Sequence, residues 1–81
     1  MIRTYELSPA DGHKSFYGKA QVRVDRDGRE TLYSYGTPVM RRTPGGKLER
    51  LWGGWSATTG RHVAAFCGLR KKEFEKMPVV R

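Results

Sequence analysis

The segment LWGGWSATTGRH, residues 51–62, combines glycines, hydroxyl side chains and a histidine, the residue types of phosphate-binding loops and nucleophilic sites. A P-loop needs two glycines separated by four residues and then Lys-Ser or Lys-Thr, so that backbone amides surround the phosphates and the lysine reaches the terminal one. Gly54 and Gly60 are too far apart for this motif, and Arg61 and His62 stand where the Lys-Ser/Thr pair is needed. The segment therefore does not predict nucleotide hydrolysis.

Nucleophilic catalysis needs a serine, threonine or cysteine within hydrogen-bond reach of a base that a third group orients. His62 and Cys67 are five residues apart, so on one helix their side chains point about 140° away from each other. Ser56 or Thr58 could meet His62 on a neighbouring turn, but the segment contains no acid to orient the imidazole. Cys67, His13 and His62 also lack the spacing of metal ligands. We therefore expect no enzyme activity, no metal and no cofactor.

Basic residues interleaved with aromatic ones form the remaining pattern that carries chemistry. Phosphates bind the cations, while nucleic-acid bases or an apolar pocket of a protein partner receive the rings. No RNP-type aromatic motif, GxxG loop or helix-turn-helix pattern accompanies these residues, so DNA, RNA and protein stay open as partners. The pattern predicts the following binding residues: Arg23, Tyr33, Tyr35, Arg41, Arg42, Lys47, Arg50, Trp52, Arg61, Lys71 and Lys72.

The charge balance also favours an acidic partner. The 81 residues contain 16 Lys plus Arg against 8 Asp plus Glu, a net charge of +8, and arginine, whose planar fork suits phosphates and carboxylates, is the commoner cation. Many small domains carry such a charge for solubility alone, and charge does not separate nucleic acid from an acidic surface of a nuclease complex. We expect one domain over residues 1–81, with no membrane segment or secretory signal and a cytoplasmic location, and leave the oligomeric state open.

Alternating apolar and polar residues over 19–25 predict a half-buried strand, and the Thr- and Tyr-rich residues 30–36 predict its hairpin partner. A two-residue turn would place Tyr33 and Tyr35 on the core side, whereas a bulged turn over DRDG, residues 25–28, would place them outside. Asp at the first and Gly at the fourth position favour the bulged turn, while the other register stays open. The register decides whether an aromatic and basic sheet face is exposed.

Residues 37–42 and 47–52 predict two more strands, joined by TPGG, for which a type II turn is expected. Residues 2–7 predict a leading strand or an arm, followed by a loop over residues 8–15.

The helical elements come last. A main helix is predicted over 57–67, capped by Ser56 or Thr58 and ended by Gly68, and a short one over 70–77. At least one of the two tryptophans is expected to fill the core. The expected fold is α+β: an antiparallel sheet of four strands, or five with the N-terminal segment, packed against one main helix, with a short C-terminal helix.

Three segments carry a resemblance to a known family: KSFYGKA, LYSYGTPV and above all WSATTGRHVAAF. Over residues 14–77 the chain resembles an uncharacterised family of small proteins from bacteria, their phages and plasmids, which share a WSATTxRHxxxF motif at a helix start. The resemblance implies one small α+β domain and a mobile-element setting, and it brings no residue roles.

In such a setting, small basic proteins often inhibit host defence nucleases, as anti-CRISPR proteins do, or assist nucleic-acid processing. The resemblance and the charge together lead us to expect a non-enzymatic binder that inhibits or modulates a nucleic-acid-processing complex. The alternative is a direct DNA- or RNA-binding accessory or regulatory protein, whose binding would weaken steeply with added salt.

Overall fold

The chain forms an antiparallel sheet followed by two helices. The computed structural model describes residues 3–7 and 19–80. The strands lie in chain order across the sheet: β1 Arg3–Glu6, β2 Ala20–Val24, β3 Glu30–Ser34, β4 Thr37–Arg42 and β5 Leu48–Arg50. The helices are α1 Ala57–Cys67 and α2 Lys71–Lys76. The predicted α+β class is confirmed in its five-stranded form, and the loop predicted over residues 8–15 lies outside the described residues.

The first hairpin has the bulged register. Gln21 lies opposite Tyr33 in the pairing of β2 with β3. The Gly28 amide donates to the Asp25 carbonyl over 3.0 Å, and Gly28 has a φ of 91°, which glycine adopts without a steric penalty. Successive residues of a strand point to opposite faces, so Tyr33 points away from the face that carries Val22. The register that exposes the tyrosines is therefore confirmed.

The turn between β4 and β5 is not the predicted type II turn. Type II would give Gly45 a positive φ, but Gly46 has it instead, at 89°, and the Gly46 amide donates to the Thr43 carbonyl over 2.9 Å. The Thr43 amide in turn donates to the Lys47 carbonyl, which repeats the hydrogen-bond pattern of residues 25–28. The type II prediction was wrong because a proline at the second position suits type I and type II turns equally.

The core lies on the side of the sheet that faces the helices. Alternate residues of β2 point into it, and a bulge in the pairing of β3 with β4 lets two successive residues of β4 point inward. The removal of these side chains from water is the main force that holds the sheet and helices together. The buried apolar residues are Ala20, Val22, Leu32, Val39, Met40, Val63, Phe66 and Phe74.

Helix α1 begins and ends where the sequence predicts. Ser56 is the N-cap, because its Oγ accepts a hydrogen bond from the Thr59 amide over 3.1 Å, and this decides between Ser56 and Thr58. Gly68 ends the helix with a φ of 78°, and its amide donates to the Ala64 carbonyl. Local capping chemistry therefore determines both ends of the helix.

Two glycines accept the tryptophan rings at the corner between β5 and α1. A Cβ on Gly54 would lie 2.6 Å from the Trp52 ring, and a Cβ on Gly60 would collide with the Trp55 ring. Gly60 lowers helix propensity by about 1 kcal/mol against alanine, and the close approach of the Trp55 ring compensates for this. The Trp55 ring centroid also lies 5.5 Å from that of Phe74. Both tryptophans are half-buried against the core, as expected for at least one.

The end of the described chain is attached to β5. Phe74 of α2 is fully buried, and α2 is shorter than the predicted helix over 70–77. The Val80 amide donates to the Arg50 carbonyl over 2.7 Å, and Val79 forms a parallel bridge with Arg50. Within residues 3–7 and 19–80, no helix has the length and apolar character needed to cross a membrane.

Candidate functional site

The sheet has a second face, which points away from the core and which we call the outer face. Both described helices pack on the core side, so in the described part of the chain the outer face is open. Its side chains form two rows across the strands, because paired residues point the same way. One row is Thr4, Arg23, Thr31, Arg41 and Glu49, and the neighbouring row is Glu6, Gln21, Tyr33 and Pro38.

A groove of about 550 Å³ lies on the outer face, and we call it the sheet groove. Its volume is in the range of ligand sites, roughly 300–1,000 Å³. Three of the predicted binding residues, Arg23, Tyr33 and Tyr35, meet here. The full lining is Thr4, Lys19, Gln21, Arg23, Tyr33, Tyr35 and Gly36.

Tyr35 holds its ring beside the sheet groove in a strained backbone conformation. Tyr35 and Gly36 form a two-residue type I′ turn between β3 and β4, with φ values of 53° and 81°. Glycine adopts this conformation freely, whereas the Cβ of tyrosine makes it unfavourable by roughly 1–2 kcal/mol. Tyr35 is nevertheless 58% exposed, with its ring 5.8 Å from that of His62 and 5.5 Å from Lys19 Nζ. A large exposed ring at a strained position is a mark of a functional residue.

The described cations of the outer face take part in ion pairs and in an aromatic contact. Arg23 Nε lies 3.2 Å from Asp25 Oδ1, and the Arg23 side chain is 45% exposed. Arg41 Nε donates to Glu49 Oε1 over 2.7 Å, and this hydrogen bond lowers the pKa of Glu49. Ion pairs between exposed side chains contribute only about 0–1 kcal/mol, so the Arg23–Asp25 pair adds little to stability, whereas the Arg41–Glu49 pair is partly buried.

Arg50 was predicted as a binding residue, but its side chain is buried. It faces the core from β5 and is 7% exposed. Its guanidinium donates to the carbonyls of Trp52, Glu75 and Met77 over 2.9–3.3 Å and lies 4.4 Å from the Phe74 ring centroid. Arg50 therefore joins β5 to the C-terminal segment and does not belong to the candidate surface.

Arg42 is also used by the fold. Its Nε donates to Glu30 Oε1 over 2.9 Å, and its Nη1 donates to the Phe66 carbonyl over 3.1 Å. The guanidinium carbon lies 4.6 Å from the Phe66 ring centroid. The hydrogen bond from Arg42 lowers the pKa of Glu30, so both charges persist at neutral pH. These contacts connect the sheet to α1 and remove Arg42 from the candidate surface.

The other predicted cations are dispersed over the molecule. Lys47 lies beside the turn before β5, Arg61 lies on α1, and Lys71 and Lys72 lie on α2, all of them exposed. None of these four described residues lines the sheet groove. They raise the net charge without forming one site with the tyrosines.

A second pocket, of about 320 Å³, lies beside the sheet groove, and we call it the Trp52 pocket. Tyr35 lines both cavities. Trp52, which was predicted as a binding residue, lies here and not with Tyr33. The full lining is Ser34, Tyr35, Thr37, Val39, Trp52, Ser56 and Thr59.

A buried hydrogen-bond network lies behind this pocket. Ser34 Oγ lies 2.8 Å from His62 Nδ1 and 3.0 Å from Thr59 Oγ1. A serine beside a histidine is the arrangement of an activated nucleophile. This pair was not predicted, because Ser34 and His62 are 28 residues apart in the sequence. The bulged register, which puts Ser34 on the core face, was the signal that could have found it.

The surroundings of His62 do not match those of a catalytic base. Burial lowers the pKa of His62, and the neighbouring Arg61 lowers it further, so the imidazole is neutral near pH 7. The charged neighbour that acts on its pKa is thus a cation, whereas a triad histidine is oriented by a carboxylate. Ser34 is 3% exposed. The network gives the Ser34 and Thr59 hydroxyls and the Nδ1 of His62 hydrogen-bond partners inside the core, and the lack of enzyme activity stays a prediction.

The remaining candidates for chemistry are also structural. Burial raises the pKa of the Cys67 thiol, and its Sγ donates to the Val63 carbonyl over 3.4 Å, so the nucleophilic thiolate is disfavoured at neutral pH. Among residues 3–7 and 19–80, no group of three or more His, Cys, Asp or Glu side chains is placed to hold a metal ion.

Comparison with known families places the whole arrangement in one group of proteins. A family model matches residues 5–78. The chain belongs to the family of unknown function DUF8033. The match covers the Trp52 pocket and every lining residue of the sheet groove except Thr4, and the predicted membership of an uncharacterised family is confirmed. No curated protein and no solved structure matches it.

Proposed function

We propose that the protein binds single-stranded nucleic acid across its outer face. Bases stack on Tyr33 and Tyr35 in the sheet groove, and phosphates pair with Lys19 and Arg23. Proteins that bind single strands combine stacking rings with a positively charged groove, and a sheet that presents its aromatic residues to solvent is a common platform for this.

Tyr35 is the observation that carries this proposal. Asparagine or glycine would occupy the first position of the type I′ turn without strain, yet the chain has a tyrosine whose ring is mostly exposed. Tyr33 lines the same groove from β3. The two rings offer stacking surfaces that the protein core does not use.

The charges support an anionic ligand. Of the described residues that line the sheet groove, two are cations and none is a carboxylate, and the whole chain carries a net charge of +8. Arg41 extends the cationic row along the sheet beyond Arg23. Each phosphate that these cations neutralise releases counterions from the nucleic acid, so binding is expected to depend strongly on salt.

The first expectation from the sequence, an anti-CRISPR-type inhibitor from a phage or mobile element, is the rival proposal. An acidic surface of a nuclease complex could pair with the same cations. Such a partner would not, however, require the two aromatic rings of Tyr33 and Tyr35 on the outer face. A nucleic-acid ligand also agrees with the expected cytoplasmic location. The rival is favoured if the protein fails to bind nucleic acid and instead associates with a nuclease complex.

Fluorescence anisotropy with a short labelled oligonucleotide tests the proposal. We expect single strands to bind better than a duplex of the same sequence, and log Kd to rise with log salt with a slope of about 1.4–2.1, at roughly 0.7 for each of two or three phosphates. Tyr33→Ala is expected to weaken binding about 5- to 150-fold, since one stacked base contributes about 1–3 kcal/mol. Tyr5→Ala is the matched control, because Tyr5 is also partly exposed but points to the opposite face.

A charge-reversal pair locates the phosphate contacts. Lys19→Glu and Lys71→Glu change the net charge equally, but only Lys19 lines the sheet groove. We expect Lys19→Glu to weaken binding more and to reduce the salt slope by more. Equal effects of the two variants, or no binding of any oligonucleotide at low salt, would overturn the proposal.

A further inference from the structure

We infer that the Trp52 pocket receives one unstacked base of the strand that crosses the sheet groove, with the Trp52 indole as its stacking partner. This inference rests on the proposed function and adds a second subsite to it. The subsite would hold a planar nitrogen heterocycle, whereas the groove itself holds backbone and stacked bases.

The position of Tyr35 connects the two cavities. Tyr35 lines both the sheet groove and the Trp52 pocket, and it lies in the turn between β3 and β4. A strand that stacks a base on Tyr35 therefore has its next base close to the Trp52 pocket.

The chemistry of the pocket fits a base better than a phosphate. Among its described lining residues none is charged, and the walls are the Trp52 ring, the Tyr35 ring and the buried Val39. Gly54 lets the Trp52 ring lie against the backbone, which holds the indole in place. A neutral, partly aromatic wall favours a flat, uncharged ring.

Hydroxyl groups supply the polar contacts that a base edge needs. Thr37, Ser56 and Thr59 line the pocket, and a hydroxyl can donate or accept, so it can pair with the edge of any base. The Ser56 and Thr59 hydroxyls already have partners in the helix cap and in the Ser34 network, which orients them. The volume of about 320 Å³ lies at the lower end of the range for small-ligand sites.

The two tryptophans provide a direct test, because only Trp52 lines the pocket. Trp55→Phe leaves Trp52 as the sole indole, and Trp52→Phe leaves Trp55, which packs on Gly60 and Phe74 away from the pocket. On titration with a short oligothymidylate, we expect strong quenching of the emission of Trp55→Phe and little change for Trp52→Phe. Anisotropy of a label on the same oligonucleotide reports binding independently, and circular dichroism reports folding of both variants.

A pocket-filling variant gives a second readout that does not alter either tryptophan. Thr37 is an exposed residue on the pocket wall, so Thr37→Phe fills the space without entering the core. We expect it to weaken oligonucleotide binding about tenfold, the loss of one stacked base. The inference is overturned, and the proposed function stands, if oligonucleotide binding depends on Tyr33 but does not quench the emission of Trp52 and is not weakened in Thr37→Phe. Absence of oligonucleotide binding by the wild-type protein would instead overturn the proposed function.

Discussion

Arg50 on the core face and Arg23 on the outer face of the sheet have opposite surroundings. Arg50 is 7% exposed and donates to three backbone carbonyls, and Arg42, on the same face, donates to Glu30 and to α1. The Arg23 side chain is held by one exposed carboxylate. Arg41 shares the outer face but is held more closely, because it donates over 2.7 Å to the partly buried Glu49. The same residue type therefore stabilises the fold at Arg50 and stays accessible to a ligand at Arg23.

The largest expected effect is the loss of stability in Arg50→Met. Methionine keeps the apolar contact with Phe74 but leaves the three carbonyls without their donor, and each buried unsatisfied group costs about 1–3 kcal/mol. We expect the free energy of unfolding, measured by urea denaturation, to fall by about 3 kcal/mol or more. Arg23→Met is the matched outer-face variant and should change stability by less than about 0.5 kcal/mol while weakening oligonucleotide binding. Equal destabilisation by the two variants would contradict the contrast between the faces.

A somewhat smaller loss of stability is expected from a substitution of Gly60, near the corner between β5 and α1. Gly60→Ala should raise helix propensity by about 1 kcal/mol, but its Cβ would collide with the Trp55 ring, and overpacking costs about 1–3 kcal/mol. We therefore expect a net destabilisation of up to about 2 kcal/mol in urea. Gly45→Ala is the control, because a Cβ at Gly45 meets nothing within 4 Å. Stabilisation by Gly60→Ala would show that the Trp55 ring can move away freely.

Features of the core face that depend on neighbours in the chain could be predicted from the sequence. The ends of α1 followed from Ser56 and Gly68, and the register of the first hairpin followed from the order of Asp and Gly in one turn. The second turn could not, because its Pro-Gly-Gly residues fit two turn types and only the position of the left-handed glycine separates them.

The candidate site was predictable only in part, for the same reason. Tyr33 and Tyr35 were found because their exposure depends on the register of one local hairpin. The burial of Arg50 depends on the return of the chain end to β5, and the Ser34–His62 contact depends on how α1 lies on the sheet. The register of the first hairpin indicates that Ser34 faces the core, but no local pattern in the sequence pairs it with His62 or Arg50 with the chain end, because the partners are more than 20 residues apart.

A pH effect of intermediate size should come from the core face alone. Burial and Arg61 hold the pKa of His62 below its ordinary value of about 6.5, so below that pH the unfolded chain binds a proton that the folded chain does not. The free energy of unfolding should therefore have its full value above about pH 6.5. It should fall as the pH drops below this value, by up to about 1.4 kcal/mol per pH unit.

The measurement is urea denaturation across this pH range with each histidine replaced in turn. His62→Gln should remove the slope, whereas His13→Gln should keep it. The carboxyl of Glu30, whose pKa is lowered, contributes only at more acidic pH, below about 4.5, so the two effects are separable. A slope that survives in His62→Gln would assign the effect to another group.

The last prediction concerns Tyr35, beside the outer face. Its replacement should change stability by a small amount, and it should raise stability where the substitutions above lower it. Tyr35→Asn places a residue that tolerates the left-handed conformation at the first position of the type I′ turn, so we expect stability to rise by about 1 kcal/mol. The same variant removes a stacking ring, so oligonucleotide binding should weaken. Tyr33→Asn is the control, because Tyr33 lies within β3 and its replacement relieves no turn strain. A substitution on the core face should lower stability and weaken binding only as a consequence. Tyr35→Asn should instead raise stability while it weakens binding. If Tyr35→Asn lowers stability and leaves binding unchanged, Tyr35 serves the fold through its contact with His62. The main observation in favour of a ligand on the outer face would then be lost.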